Sequence, residues 1–389
     1  NNQENQAMYC ENLGQVGLQQ EDLVEAERHF TMAMSTLSEG DEVVKKRIEE
    51  RLKFIKNHSK YIGCREKEIK ETLEKLDMKT QQKEILKKYQ ELEELFFEGG
   101  AMAKAIDVNE KSITIYEEMG DAHSAGVLSG NVASMMMQLA AEGEETMFDR
   151  AEKYFNRALE CFENALDKKR QSYLLGSLGN LCLLRKDFDK AGDYFQRAIP
   201  IMRDIGDILG EARGFANMGS VSALKKDWDG AIGYVNQSLE LMSRVENRPG
   251  MAQQNEMLGD LLLKKEFFHP SVEAYGKSSE LFQKMKDQRS FQRVENKLLE
   301  VLAHPGYLDG RAGELRQVLS QPETQKDKTQ KIFLLTELGS VLFMAKELDE
   351  AMDVLKQTVA LQEETGDKAG MSSIYGNMGS VMQEKNDLP

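Results

Sequence analysis

The chain has 389 residues, 30% of them charged, and a formal net charge of −15. That acidity disfavours nucleic acid as a general partner, because phosphate binding needs a basic face. No uninterrupted apolar run reaches the roughly 18 residues of a membrane-spanning helix, so no membrane span is expected.

Taken in chain order, the elements repeat. Leu13-Gly14 is followed by Ala26, Phe30 and Ala33. Leu178-Gly179 is followed by Ala191, Phe195 and Ala198, and Met218-Gly219 by Ala231, Val235 and Ser238. Leu258-Gly259 precedes Ser271, Tyr275 and Ser278; Leu338-Gly339 precedes Ala351, Leu355 and Thr358; Met378-Gly379 opens a last copy. The five later glycines are separated by 40, 40, 80 and 40 residues, and the missing copy reads Leu298-Leu299. This pattern predicts two helices per unit. A helical glycine costs about 1 kcal/mol relative to alanine, so its recurrence at one phase needs a packing reason. Glycine in the first helix and small residues in the second permit close approach, and the large residue fills the gap.

The junctions repeat too. Gly40-Asp41, Gly120-Asp121, Gly206-Asp207 and Gly366-Asp367, with Lys286-Asp287 as a variant, are expected to end one unit with a positive-φ residue and cap the next helix with aspartate. Turns within units read Lys186-Asp187-Phe188-Asp189, Lys226-Asp227-Trp228-Asp229 and Lys346-Glu347-Leu348-Asp349. Pro270 suits a first turn, whereas Pro200 should kink its helix. The units start near 1, 41, 80, 121, 168, 207, 248, 287, 327 and 367. The expected architecture is all-α, a single right-handed α-solenoid of stacked helix-turn-helix repeats over 1–389, about nine and a half units long. The units near 41–79 and 287–326 are degenerate, and an insertion lies near 142–148. The last unit stops where its second helix should begin, so the solenoid is expected to continue beyond 389.

The apolar-glycine and small-large-small pattern resembles the tetratricopeptide repeat (TPR) family. The familiar TPR unit is about 34 residues, so each helix here should be about three residues, or roughly 4.5 Å, longer. This long form, with its Gly-Asp junctions and the Gly210-Glu211-Ala212-Arg213 entry, resembles the LGN/Pins subclass. The resemblance implies a concave wall of first helices that grips an extended segment of another protein. Carried onto this sequence, the wall would present Asn131, Ser177, Asn180, Arg213, Asn217, Ser220, Met257, Asp260, Glu337, Ser340, Asn377 and Ser380. Arg213 would take an acidic side chain and the asparagines a peptide backbone. Tyr173, Gln253, Phe333 and Ser373 stand where other units would continue the arginine ladder.

Nothing in the sequence spells out catalysis. His29, His58, His123, His269 and His304 are scattered without zinc-ligand spacing, and no phosphate loop or nucleophile motif occurs. No catalytic residue, metal site or cofactor is expected. His304-Pro305-Gly306-Tyr307 reads as a loop in a degenerate unit. Cys10, Cys64, Cys161 and Cys182 show no Cys-x-x-Cys spacing, which points to free thiols in a reducing, cytoplasmic compartment; Cys182 falls at a core position. Met135, Met136 and Met137 are a candidate adaptable surface if not core filler. Residues 42–90 hold 15 Lys/Arg against 9 Asp/Glu, a solvated face or a dock for an acidic partner. The leading expectation is a non-catalytic scaffold or adaptor that binds protein. The alternatives are a regulatory array fused to a catalytic domain after 389, and a structural subunit of a large assembly.

Overall fold

The structure, a computed structural model, describes residues 2–37 and 42–386. All regular structure among them is helical. The helices pair as α1 (Asn2–Gln19) with α2 (Leu23–Thr36), α3 (Glu42–Lys56) with α4 (Ser59–Leu73), and α5 (Gln82–Glu98) with α6 (Met102–Glu118). Next come α7 (Ala122–Ala141) with α8 (Met147–Asn164) and α9 (Lys168–Leu184) with α10 (Phe188–Asp204). They are followed by α11 (Ile208–Leu224) with α12 (Trp228–Arg244) and α13 (Arg248–Lys264) with α14 (Phe268–Lys284). The chain ends with α15 (Gln288–Leu302) and α16 (Pro305–Leu319), the single-turn α17 (Pro322–Lys326), α18 (Lys328–Met344) with α19 (Leu348–Thr365), and α20 (Lys368–Asn386). By contacts the chain forms two compact units, Asn1–Ile201 and Met202–Pro389.

Five of the pairs close on a glycine. A methyl group added to Gly179 would sit 2.5 Å from the Phe195 ring; one on Gly259 would sit 2.7 Å from Tyr275, and one on Gly339 would sit 2.8 Å from Leu355. Gly14 meets Phe30, and Gly219 meets Val235, in the same way. The flanking small residues Ala191, Ala231, Ser271 and Ala351 are fully buried. Where serine replaces alanine, its hydroxyl donates to the facing helix: Ser238 to the Ala212 carbonyl, Ser271 to Gly259 and Ser278 to Ala252, each at 2.8 Å. The polar group is thereby satisfied inside the pair. Burying each large side chain contributes about 1.5–3 kcal/mol.

One residue both ends and begins helices at most junctions. The Asp227 N–H donates to the Ser222 carbonyl at 2.9 Å, closing α11, while its carboxylate accepts from Gly230 N–H at 3.0 Å, opening α12. Asp121, Asp167, Asp207, Asn247 and Asp287 do the same. The preceding residue is left-handed. Gly120, Gly206 and Gly366 fill that place between pairs, as the sequence indicates, but within pairs it falls to Lys186, Lys226 and Lys346 with φ of 61°, 62° and 64°. Gly40-Asp41 lies outside the described residues.

Other details differ from the sequence reading. Pro305, Gly306 and Tyr307 are not in a loop but in the first turn of α16, and His304, in the short turn before it, caps that helix, its Nδ1 accepting from Gly306 N–H at 3.1 Å. Met135 and Met136 are buried and Met137 half-buried, because α7 is packed by helices on several sides. The insertion is taken up by a longer α7, of 20 residues against 17 in α9, and by the turn 142–146.

Gly179→Ala should destabilise the protein by about 1–3 kcal/mol, the clash with Phe195 outweighing the roughly 1 kcal/mol helix preference of alanine. Gly379→Ala should be neutral or stabilising, since nothing lies within 4 Å of that position. Urea unfolding followed by circular dichroism distinguishes the two.

Candidate protein-binding surface

Successive first helices carry their exposed side chains in one stripe, spaced i, i+4, i+7, i+11, which lies along a single helix face. In the first unit α9 presents Tyr173, Ser177, Asn180 and Leu184, and α7 presents Asn131. In the second unit α11 presents Arg213, Asn217, Ser220 and Leu224, and α13 presents Gln253, Met257, Asp260 and Lys264. There α18 contributes Phe333, Glu337, Ser340 and Met344, and α20 contributes Ser373, Asn377, Ser380 and Glu384. The expected wall residues therefore share one phase on their own helices.

Their chemistry divides them. Ser177, Ser220, Ser340 and Ser380 each donate to the carbonyl four residues back, at 3.2, 3.2, 3.0 and 3.3 Å, which leaves only their acceptor lone pairs. Asp260 is fully engaged: Tyr275 Oη donates to it at 2.5 Å and Lys297 Nζ at 2.8 Å. Glu337 accepts from Arg311 at 2.5 and 2.8 Å. Met257 is half-buried against the cluster around Val235 and Leu261. By contrast the side-chain amides of Asn131, Asn180, Asn217 and Asn377 make no hydrogen bond among the described residues, and Arg213 is exposed without an ion pair among them. These are the groups with unused hydrogen-bonding capacity.

At the places where the arginine ladder is interrupted, aromatic rings stand exposed: Tyr173 is 68% and Phe333 67% exposed, both six residues before the packing glycine. One feature of the wall was not read from the sequence. It is a charge network between α13 and α15. Arg293 forks onto Glu256 at 2.7 and 3.0 Å, and Lys297 bridges Glu256 at 3.0 Å and Asp260 at 2.8 Å. Opposite charges 37 residues apart, nearly one period, are the pattern that could have revealed it.

Burial works to raise the Glu256 pKa, but the hydrogen bonds from Arg293 and Lys297 outweigh it and the carboxyl sits below its ordinary value. A depressed folded pKa gives stability that is present above the unfolded value, about 4.3, and lost as pH falls through the folded one. Wild type should therefore exceed Glu256→Gln in urea midpoint at pH 7, and the gap should close as the pH is lowered below about 4.3.

No helix among the described residues is long and apolar enough to cross a membrane. Residues 140–204 match the family model of the tetratricopeptide repeat. No curated protein matches the sequence. Among solved structures, apo RapI is similar at TM-score 0.51 and 13% identity, with 98% of this chain and 99% of that one covered. The aspartyl phosphate phosphatase F of Bacillus subtilis is similar at TM-score 0.50 and 14% identity, covering 97% and 94%. A putative kinesin light chain of Podosopora anserina, with nearly identical TPR-like repeats, covers 51% of this chain and 98% of its own at 14% identity and TM-score 0.33. These identities speak to fold alone. The helix pairs stack as tetratricopeptide-type repeats, and residues 140–204 carry the tetratricopeptide repeat itself.

Proposed function

We propose that the protein is a non-catalytic scaffold of the long-repeat, LGN/Pins-like kind that holds an extended segment of a partner protein against its first helices. The observation that supports this reading is the pairing, on one face of α11, of an unengaged arginine with an unengaged asparagine four residues on. Arg213 can take a carboxylate bidentately, and Asn217 can both donate to and accept from a peptide backbone. Asp260 and Glu337, already neutralised by Lys297 and Arg311, serve instead to join neighbouring helices. Exposed Phe333 and Leu224 supply apolar contact beside the polar groups.

A second surface supports an acidic partner. Of the cations in residues 42–90, Arg47, Lys56, Lys60, Arg65, Lys67, Lys70 and Lys88 are paired. Lys45, Lys46, Lys53, Lys75, Lys79, Lys83 and Lys87 have no ion pair among the described residues. The free thiols, with Cys10 and Cys182 buried, fit a reducing compartment.

The Arg213→Ala/Asn217→Ala double variant should bind a mapped partner peptide at least tenfold more weakly by isothermal titration calorimetry, with an unchanged circular dichroism spectrum. Unchanged affinity would remove this wall from consideration.

A further inference from the structure

The third repeat lacks the lock formed at Gly14, Gly179, Gly219, Gly259 and Gly339. Ala105 and Ser112 hold the two small positions of its second helix, α6, and both are buried. Four residues after Ala105, where Phe195, Val235, Tyr275 and Leu355 stand in their repeats, is Asn109, only 4% exposed. Twelve residues before Ala105, in the packing-glycine place, is Glu93. A polar pair thus replaces glycine and a large apolar side chain at the centre of the α5–α6 contact, where the Asn109 amide donates to Met135 Sδ at 4.0 Å.

A cavity of about 660 Å³ opens at that place, walled by α5 and α7 and floored by α6. Glu93 and Asn109 line it together with Tyr116 and Val127, and Lys83 and Lys87 stand one turn apart at the N-terminal end of α5. Glu93 is half-buried, and no cation among the described residues pairs with it. Burial and the neighbouring Glu94 push its pKa up, while the Asn109 amide offsets only part of this. A carboxylate withdrawn from water without a cation is costly, and an incoming cation removes that cost. Lys83 and Lys87 are exposed and without ion pairs among the described residues, so they call for the opposite sign.

We infer that this cavity binds a protein segment that inserts an arginine or lysine side chain to pair with Glu93 and sets an adjacent acidic residue against Lys83 and Lys87. The aliphatic stem of the inserted side chain lies along Tyr116 and Val127, which line the cavity with Glu93 and Asn109. Charge complementarity selects this occupant: a wholly acidic segment leaves Glu93 unpaired, and a wholly basic one is repelled at the lysines. The site lies within residues 83–128 and is independent of the wall around Arg213.

The test selects peptides from a random dodecapeptide phage library on the full chain and measures the synthetic winners by fluorescence anisotropy. The expected winners carry Lys or Arg beside Asp or Glu, bind Glu93→Gln at least tenfold more weakly, and bind the Arg213→Ala/Asn217→Ala variant unchanged. Replacing the basic residue of a winner by norleucine should cost at least tenfold on the wild-type protein, a readout that does not depend on any variant folding. The Glu93→Gly/Asn109→Phe variant, which rebuilds the lock, should melt at a higher temperature and lose binding. Winners without a basic residue, or winners that bind Glu93→Gln as tightly as wild type, overturn the proposal. Winners that depend on Arg213 and not on Glu93 also overturn it, while supporting the other wall.

Discussion

At Gly179 the backbone of α9 approaches α10 so closely that the Phe195 ring occupies the space a side chain would need. That exclusion organises the rest of the protein. Where it recurs it holds the first helix against the second at fixed depth, so the residues two before and one after the glycine face outward. Leu178 and Leu181 turn inward, and Ser177 and Asn180 turn out. The exposed wall is therefore a by-product of packing. Its chemistry is free to vary from Tyr173 to Arg213 to Phe333 without disturbing the contact beneath it.

The capping aspartates fix a second quantity, the angle at which one helix leaves another. Because Asp227 closes α11 with its N–H and opens α12 with its carboxylate, the turn needs only three residues outside the helices. Short turns leave little slack, and this keeps equivalent residues of neighbouring repeats within reach of each other. The ion pairs exploit it: Arg47 with Glu11, Lys104 with Glu66, and Lys328 with Glu364 join residues 36, 38 and 36 apart. Each is exposed enough to contribute little alone, but together they favour one stacking register.

Much of this was legible in the sequence because glycine at one phase has so few explanations. The spacing of Gly179, Gly219, Gly259 and Gly339 from Ala191, Ala231, Ser271 and Ala351 located both helices and their contact. The wall was half legible. Phase alone shows which side chains face outward, but not which are already occupied, and Asp260 and Glu337 read the same as free acids until Lys297 and Arg311 are placed beside them. The third repeat was hidden for a related reason: Glu93 and Asn109 look like ordinary surface residues unless counted from Ala105, and without its glycine nothing prompts the count. His304-Pro305-Gly306 misled because a proline-glycine pair signals a turn, whereas here proline occupies a first helical turn where it has no N–H to lose.

The turn between α7 and α8 shows where the chain can absorb extra length. Ala105 and Ala151 lie 46 residues apart, whereas Ala151 and Ala191 lie 40 apart. Yet Glu117 meets Arg157 across the longer repeat just as Glu163 meets Arg197 across the shorter one, at equivalent places. The additional residues lengthen α7, which has 20 residues where α9 has 17, and the turn 142–146, and the ion pairs are kept. That exposed turn, two residues longer than its counterparts, is a permissive position: an epitope tag or a small folded domain spliced there would leave both neighbouring ion pairs intact.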